Sequence, residues 1–237
     1  MDRVTYLKQA LPFIQQHRLK TFVLTLDETL LEDRAAITLL VEDISLLHNV
    51  GVHVVVVHGG ERGADLVTAL TAGGLQAVGL SGLDGSLFEL TGAQTIKVQP
   101  QVLTTLISAG FVPVVASLTS SGTGPEPVDV TLVAEHVACA INASKLFFFT
   151  DTPGLLADPE DPNSLIPYCD VNVISSLLAD YPETPLTQTL KSTIKALDAG
   201  VERVHVVSAW QPSALLLEVF TTEGCGTLVV LNTDEAV

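Results

Sequence analysis

Two carboxylates stand at a turn where phosphate binding would require glycine. Residues 22–26 form an apolar run broken only by Thr25, which is typical of a buried strand, and Asp27 and Glu28 follow it directly. The turn after such a strand often carries glycines, whose backbone N–H groups approach and bind phosphate. Asp27 and Glu28 place two negative charges there instead, and these would repel a triphosphate. The turn therefore predicts a strand end that does not hold phosphate.

Glycines do follow the next strand. Residues 52–57 are β-branched and almost wholly apolar, which indicates a central parallel strand, and His58, Gly59 and Gly60 come after it. Arg62 lies two residues further on, where its guanidinium can bind a carboxylate. Ligand contact by Gly59 and Gly60 and a steric need for glycine in a tight turn stay open as equal alternatives. We expect His58 to pack beneath the turn rather than act as a general base.

A third polar segment begins at Thr150, directly after the apolar residues 146–149. It also contains Asp151 and Gly154, the last within a Pro-Gly turn. Open α/β sheets bind ligands at the carboxyl ends of their strands, so this segment is a candidate rim for ribose and diphosphate. A turn of purely structural purpose is the alternative interpretation.

Helix capping is the simpler interpretation of two of the acidic residues. Asp27 precedes a helix predicted to begin near Thr29, and Asp129 precedes one predicted to begin near Thr131. A carboxylate at this position accepts a hydrogen bond from a backbone N–H of the first helical turn. We therefore expect both residues to be N-caps.

Strands and helices alternate along the chain, and this alternation predicts an α/β protein with a mostly parallel sheet covered on both faces. The predicted strands are residues 21–26, 52–57, 76–80, 111–116, 146–150, 204–207 and 226–231, with a strand or hairpin piece at 95–98. The predicted helices are residues 5–17, 34–49, 64–72, 100–110, 129–143, 171–179, 186–199 and 212–219. Residues 117–127 are rich in Ser, Thr, Gly and Pro and predict a mobile loop.

The charge balance excludes several functions. The chain of 237 residues has 11 Lys and Arg against 27 Asp and Glu, a net charge of −16. Nucleic acids and anionic membranes both require a basic surface, so neither is an expected partner. Hydrophobic residues make up 47% of the chain, enough for a sizeable core.

Cysteine usage and hydropathy indicate a cytoplasmic protein without a metal centre. The three cysteines, Cys139, Cys169 and Cys225, are far apart and not in metal-binding spacing. The first residues lack the apolar core of a signal peptide, and no stretch approaches 18 uninterrupted apolar residues.

Several segments together resemble the amino-acid kinase family, and most closely its acetylglutamate kinases. They follow the family's order over most of the chain: residues 10–15 (ALPFIQ), 43–51 (DISLLHNVG), 54–60 (VVVVHGG), 77–85 (AVGLSGLDG), 110–115 (GFVPVV), 144–154 (SKLFFFTDTPG), 196–207 (ALDAGVERVHVV), 214–220 (ALLLEVF) and 224–229 (GCGTLV). The resemblance implies a single domain over residues 1–237, built as a three-layer αβα sandwich. Its N-lobe, about residues 1–120, would bind an acyl amino acid, and its C-lobe, about 121–237, would bind ATP with Mg²⁺.

The resemblance also shows which parts of a phosphotransferase are replaced. The family's two phosphate-binding lysines fall at Thr25 and Thr189, and its catalytic aspartate falls at Thr131. Asp129 and Lys191 are the candidate substitutes, although Lys191 is two residues from Thr189 and so faces away from it on a helix. About fifty residues that carry the family's substrate lid have no counterpart between residues 65 and 76.

Three functions follow as alternatives. The first is a catalytically impaired, ligand-binding or regulatory relative of acetylglutamate kinase, linked to arginine-type metabolism. The second is an active kinase of N-acetylglutamate or a related amino acid, in which Arg62, Lys191, Asp129 and Asp151 replace the lost groups. The third is a structural module, for which an apolar helix at residues 64–75 is a candidate surface. We expect a homo-oligomer, with a dimer as the first candidate, whose partner molecules are acyl amino acids or nucleotides.

Overall fold

The computed structural model describes residues 3–92, 95–120, 125–158, 160–161, 163–178 and 184–232. Its strands are β1 (Thr21–Leu26), β2 (His53–His58), β3 (Ala77–Ser81), β4 (Phe88–Gly92), β5 (Thr95–Val98), β6 (Val112–Ala116), β7 (Leu118–Ser120), β8 (Pro125–Pro127), β9 (Lys145–Thr150), β10 (Tyr168–Asp170), β11 (Arg203–Ser208) and β12 (Thr227–Val230). Its helices are α1 (Arg3–His17), α2 (Glu28–Glu32), α3 (Arg34–Asn49), α4 (Gly63–Ala72), α5 (Gln101–Ser108), α6 (Val130–Ala140), α7 (Val171–Leu178), α8 (Pro185–Asp198) and α9 (Ala214–Phe220).

One large sheet organises the described part of the chain. Its eight strands run in the order β10-β12-β11-β9-β1-β2-β6-β3. All neighbours from β11 to β3 pair in parallel, while β12 is antiparallel to β11 and β10 is parallel to β12. The sheet is therefore mostly parallel, with two reversed strands at one edge. The direction of these two strands was not predicted from the sequence.

Both faces of the sheet are covered by helices. On β1, Phe22, Leu24 and Leu26 belong to one apolar cluster, which α2, α3, α4 and α9 complete. Val23 points to the other cluster, which α5, α6, α7 and α8 complete. A strand buried on both faces needs an almost wholly apolar sequence, and residues 22–26, with Thr25 as their one polar residue, supply it. The three-layer αβα sandwich is thereby confirmed.

β1 occupies the position where the strand order reverses. It pairs with β2 on one side, from Thr21 opposite His53 to Leu26 opposite His58, and with β9 on the other. From β1 the chain builds the sheet toward β2, β6 and β3, and only later toward β9 and β11. In open α/β sheets such a reversal leaves a crevice at the carboxyl ends of the strands.

The expectation of a loop over residues 117–127 is corrected in part. Within that segment β7 pairs antiparallel with β8, from Leu118 opposite Pro127 to Ser120 opposite Pro125. The two prolines of β8 fit a strand that forms a ladder on one side, because proline has no N–H to donate. Residues 121–124 lie outside the described residues. The hairpin expected near 95–98 is confirmed, because β5 pairs with β4.

No helix in the described ranges has both the length and the apolarity needed to cross a bilayer.

Candidate functional site

A cavity of about 430 Å³ opens at the crevice beside β1. Thr25 and Asp27 line it from β1, and Thr150 and Asp151 line it from the end of β9. The first residues of α6 and α8 close it from the side. The fold therefore brings the ends of β1 and β9 together around one cavity, whereas Gly59 and Gly60 after β2 are not among the described residues that line it.

The lining of this cavity is neutral and acidic. Its threonines are Thr25, Thr131, Thr150, Thr152, Thr184 and Thr189, and its carboxylates are Asp27, Asp129 and Asp151. Among the described residues that line it, there is no lysine or arginine. A triphosphate needs cations or free N–H groups to offset its charge. The cavity offers three carboxylates instead.

The side chain of Thr25 is held by a hydrogen bond within the sheet. Its side chain is buried, and its hydroxyl donates a hydrogen bond of 2.9 Å to the carbonyl oxygen of Phe147 on β9. Thr189 is likewise buried, and its hydroxyl donates to the carbonyl oxygen of Pro185 at 3.2 Å. Both positions where the resemblance predicts a phosphate-binding lysine thus hold short side chains whose hydroxyls already donate within the protein.

Two of the carboxylates cap helices, as the sequence predicts. Asp27 accepts hydrogen bonds from the N–H of Leu30 at 2.9 Å and from the hydroxyl of Thr29 at 2.8 Å. Asp129 accepts one from the N–H of Leu132 at 2.9 Å. Helix N-termini bind anions through free N–H groups and the helix dipole. At α2 and α6 a carboxylate of the chain itself already takes that place.

The glycine turn after β2 is also occupied by a carboxylate. Gly60 has a φ of +68°, and a β-carbon there would stand 2.7 Å from Cδ of Glu28 and 2.8 Å from its Oε1. The Glu28 side chain therefore lies against the one turn whose glycines are kept. Glycine is required at this position by both the positive φ and the close approach. The positive φ and the close contact therefore explain why residue 60 is a glycine, without a bound ligand.

His58 packs beneath the same turn. It is almost fully buried, and its ring Nδ1 lies 3.0 Å from the carbonyl oxygen of Gly59. Burial lowers its pKa, against the effect of that hydrogen bond. A β-carbon at Gly63 would stand 2.5 Å from its Nε2, so the ring also fills the space under the start of α4. These contacts describe a packed side chain, as the sequence indicates.

Arg62 is placed away from the cavity. It lies at the start of α4, where its guanidinium forms an ion pair of 3.5 Å with Asp65. Its neighbours in the groove there are residues of α3, including Arg34 and Ile37. Lys191 is not among the described residues that line the cavity, whereas Thr189 is. The two cations proposed as substitutes are therefore not assembled at the crevice.

Two residues of the Asp-Thr-Pro-Gly turn, Asp151 and Thr152, line the cavity together with Thr150 at the end of β9. Thr150 donates a hydrogen bond of 3.1 Å to the carbonyl oxygen of Thr152, and Asp151 is exposed at the rim. Gly154 lies elsewhere: with a φ of +155°, it packs so closely that a β-carbon would stand 2.7 Å from Oγ1 of Thr227. This close contact explains why position 154 is occupied by glycine, without contact to a nucleotide.

The residues around the crevice do not fit magnesium-bound ATP. The lysine positions hold bonded threonines, the helix ends hold their own caps, and Glu28 lies against the glycine turn. Within the described residues, no group of three or more His, Cys, Asp or Glu side chains is arranged to hold a metal ion.

Sequence reasoning missed a second polar cluster at the opposite end of the sheet. Lys145 begins β9, and its Nζ lies 3.1 Å from Nε2 of His205 on β11. The other ring nitrogen of His205, Nδ1, lies 2.7 Å from Oε2 of Glu218 on α9. All three side chains are buried. The one signal in the sequence was a lysine and a histidine inside otherwise apolar strands.

The pKa values of this cluster define its protonation. Burial first, then the charge of Lys145, lowers the pKa of His205 to about 4, so the ring is neutral. Burial would raise the pKa of Glu218, but the hydrogen bond from His205 and those from the backbone N–H groups of Cys225 and Gly226 lower it to about 2. Glu218 is thus an ionised carboxylate that accepts Nδ1–H of His205, which leaves Nε2 to accept from Lys145.

Comparison with known proteins defines the class. A sequence profile described as the Amino acid kinase family matches residues 60–208, and the chain belongs to that family. Within the family it is similar to acetylglutamate kinases: it is 31% identical to that of Symbiobacterium thermophilum, with 97% of this chain and 98% of the relative covered. It is 33% identical to that of Parasynechococcus marenigrum, with 96% and 95% covered. The chain is an acetylglutamate kinase-like member of its family.

Solved structures agree with the fold. An N-acetylglutamate synthase from Neisseria gonorrhoeae, complexed with coenzyme A and N-acetyl-glutamate, superposes with a TM-score of 0.85 at 22% identity. That match covers 98% of this chain and 64% of the synthase. An isopentenyl phosphate kinase superposes with a TM-score of 0.68 at 14% identity, over 89% of this chain and 100% of that one.

The alignment with the Symbiobacterium enzyme also bears on the missing lid. It spans 288 positions but includes 97% of a 237-residue chain, about 230 residues. About 58 aligned positions, the difference between 288 and 230, therefore have no residue of this chain opposite them. This total is close to the loss of about fifty residues inferred from the sequence.

Proposed function

We propose that this chain is a catalytically silent acetylglutamate kinase-like protein that binds a small ligand in the crevice beside β1. It would serve as a regulatory pseudoenzyme in the cytoplasm, linked to arginine-type amino-acid metabolism. The observation that carries the proposal is the cavity lining of threonines and carboxylates, without a lysine or arginine among its described residues.

The physical argument concerns transition-state charge. Phosphoryl transfer is catalysed almost entirely by positioning and by positive charge aimed at the moving group. Loss of a single charge-stabilising donor typically costs about 10²–10³ in rate. Here two lysines and the catalytic aspartate of the family are threonines at positions 25, 189 and 131. Such losses are not additive, but together they leave no group to stabilise the transferred phosphoryl.

The cavity is retained although its phosphate chemistry is not. Its volume of about 430 Å³ matches a site for a metabolite-sized ligand. Its hydroxyls and the apolar side chains of Phe148 and Leu186 favour a neutral or zwitterionic molecule over a polyanion. An amino acid of the same pathway, whose ammonium group the carboxylates can bind, fits this description better than the polyanion ATP.

A thermal-unfolding screen tests the proposal. We expect Mg-ATP and Mg-ADP at millimolar concentration to leave the unfolding temperature unchanged, while arginine or a related amino acid with a free ammonium group raises it. A ligand at 100 times its dissociation constant stabilises by about 2.7 kcal/mol, which in a chain of this size is a rise of roughly 5–10 °C. Stabilisation by Mg-ATP alone would contradict the proposal.

Two matched variants locate the binding. Thr131→Phe places a bulky ring in the cavity lining, whereas Thr104→Phe makes the same change on the exposed face of α5. The ligand-induced rise in unfolding temperature should disappear in the first variant and persist in the second. A ligand that stabilises both variants equally binds outside the crevice, and this part of the proposal would then be wrong.

A further inference from the structure

Four of the threonines that line the crevice donate their hydroxyl hydrogens to backbone carbonyl oxygens. These threonines, with the donor–acceptor distances, are Thr25 at 2.9 Å, Thr150 at 3.1 Å, Thr152 at 2.9 Å and Thr189 at 3.2 Å. A hydroxyl has one hydrogen to donate and two lone pairs that accept, so a hydroxyl that already donates within the protein acts towards a ligand only as an acceptor. These four side chains therefore offer a ligand lone pairs and no hydrogen.

The helix N-termini at the crevice are capped by side chains of the protein. Asp27 and Asp129 each accept an N–H group from the first turn of α2 and α6, and Thr184 accepts the N–H of Thr187 at 3.4 Å at the start of α8. Free N–H groups at a helix N-terminus are a usual partner of a bound anion, and each cap takes one of them. Among the described lining residues there is no lysine or arginine either. The lining therefore offers no cationic side chain to a carboxylate of a ligand.

The charges around the cavity favour a cation. Asp27, Asp129 and Asp151 contribute three carboxylates, and the exposed carboxylate of Asp151 forms no hydrogen bond or ion pair with any described residue. A helix N-terminus carries at most roughly half a positive charge, so the ends of α2, α6 and α8 offset about half of these three negative charges. A net negative charge therefore remains at the crevice, beside a set of hydrogen-bond acceptors.

We infer that the crevice binds aliphatic amines and guanidines that carry no carboxylate, and that it binds the corresponding amino acids more weakly. This inference rests on the proposed function, because it narrows the class of ligand for the same cavity. Such a ligand presents N–H donors and positive charge, which match the acceptors and carboxylates of the lining. Its aliphatic part packs against Phe148 and Leu186. The carboxylate of an amino acid would instead meet like charges.

Competition against a labelled amine tests this inference. The intact chain is equilibrated with radiolabelled agmatine in about 0.15 M salt, and unlabelled agmatine, arginine, putrescine and ornithine compete for the bound label. Agmatine differs from arginine only in lacking the carboxylate, and putrescine differs from ornithine in the same way. We expect each amine to displace the label at a concentration at least fivefold lower than its amino acid does. The repulsion of two like charges about 4 Å apart in water changes a dissociation constant by about this factor.

The two phenylalanine variants described above show where the label binds. Thr131→Phe should abolish the binding of labelled agmatine, and Thr104→Phe should retain it. If arginine displaces the label as well as agmatine does, the inference is wrong and the proposed function stands. The same conclusion follows if amino acids stabilise the chain through the crevice while agmatine does not bind there. If neither class of ligand binds in the crevice, the inference and the proposed function are both wrong.

A matched pair of charge variants separates local recognition from attraction by the net charge. Asp151→Asn removes a carboxylate from the rim of the crevice, where it caps no helix. Asp198→Asn makes the same change on an exposed residue at the other end of α8, about 20 Å from Pro185 at 1.5 Å per residue. The dissociation constant of agmatine should rise at least fivefold in the first variant and less than twofold in the second. Equal changes in both would show that net charge alone attracts the amine, and would overturn the inference.

Discussion

Replacing Glu218 with alanine is expected to lower the free energy of unfolding by about 3–5 kcal/mol, because it leaves three buried donors unsatisfied at about 1–3 kcal/mol each. The carboxylate accepts hydrogen bonds from His205, Cys225 and Gly226. Alanine would leave these three donors without an acceptor in the interior. Urea denaturation of the variant and the unmodified chain measures the difference.

Glu218→Gln is the matched control for this prediction. Glutamine keeps the length of the side chain and one carbonyl oxygen, so it retains part of the hydrogen bonding but loses the charge. We expect a smaller loss, about 1–3 kcal/mol, which is the cost of leaving a buried polar group unsatisfied. A loss below 1 kcal/mol for alanine, or an equal loss for both variants, would show that the hydrogen bonds of Glu218 do not stabilise this end of the sheet.

The second large effect is a dependence of the free energy of unfolding on pH, and it arises from His17. This residue ends α1, is buried, and lies edge-on to the ring of Phe22. Burial first, then the charges of Lys145 and Arg203, lowers its pKa from 6.5 to about 4. Between these two pH values the unfolded chain binds more protons than the folded one, so stability is lost as the pH falls from 6.5 towards 4. The shift corresponds to about 3 kcal/mol.

His17→Gln isolates this contribution. Glutamine keeps a polar side chain but does not titrate, so the free-energy difference between the variant and the unmodified chain should change by about 2–3 kcal/mol between pH 7 and pH 4. Asp43, whose pKa burial raises to about 6, and His205 titrate in both proteins, so their effects cancel in this difference. Two parallel curves of stability against pH would contradict the prediction.

Local patterns identified most of the sheet because its strands are buried on both faces. The apolar residues 22–26 and the β-branched residues 52–57 have no other stable placement in a chain that alternates strands with helices. The order in which strands pair is a different matter. It depends on contacts between distant segments, such as β1 with β9, and it was not predicted from the sequence.

Short elements escaped prediction for a related reason. β10 has three residues, and β7 and β8 have three each, so their stability comes from the strand they pair with rather than from their own sequence. β12 lies next to β11 but runs antiparallel to it. An apolar run of four residues carries no information about its direction.

The sequence predicted the roles of the carboxylates at the crevice better than the positions of the cations proposed to replace the lost lysines. Asp27 and Asp129 were assigned as caps because a carboxylate before a helix has a local bonding partner, and the helix supplies it. Arg62 was a candidate substrate ligand because a guanidinium can bind a carboxylate. In the structure it forms an ion pair with Asp65, three residues further along the chain. The cluster of Lys145, His205 and Glu218 depends on a hydrogen bond between residues 60 positions apart, Lys145 and His205, a separation over which no spacing rule applies.

The most direct test of a silent crevice is phosphoryl transfer itself. The purified chain, in excess over γ-labelled ATP with Mg²⁺ and N-acetylglutamate, is followed for acyl-phosphate formation beside the Symbiobacterium thermophilum acetylglutamate kinase as the active reference. Neutral and acidic side chains around the transferred group predict no product above the protein-free rate. Transfer faster than about 0.1 s⁻¹, within reach of ordinary enzymes, would contradict the account.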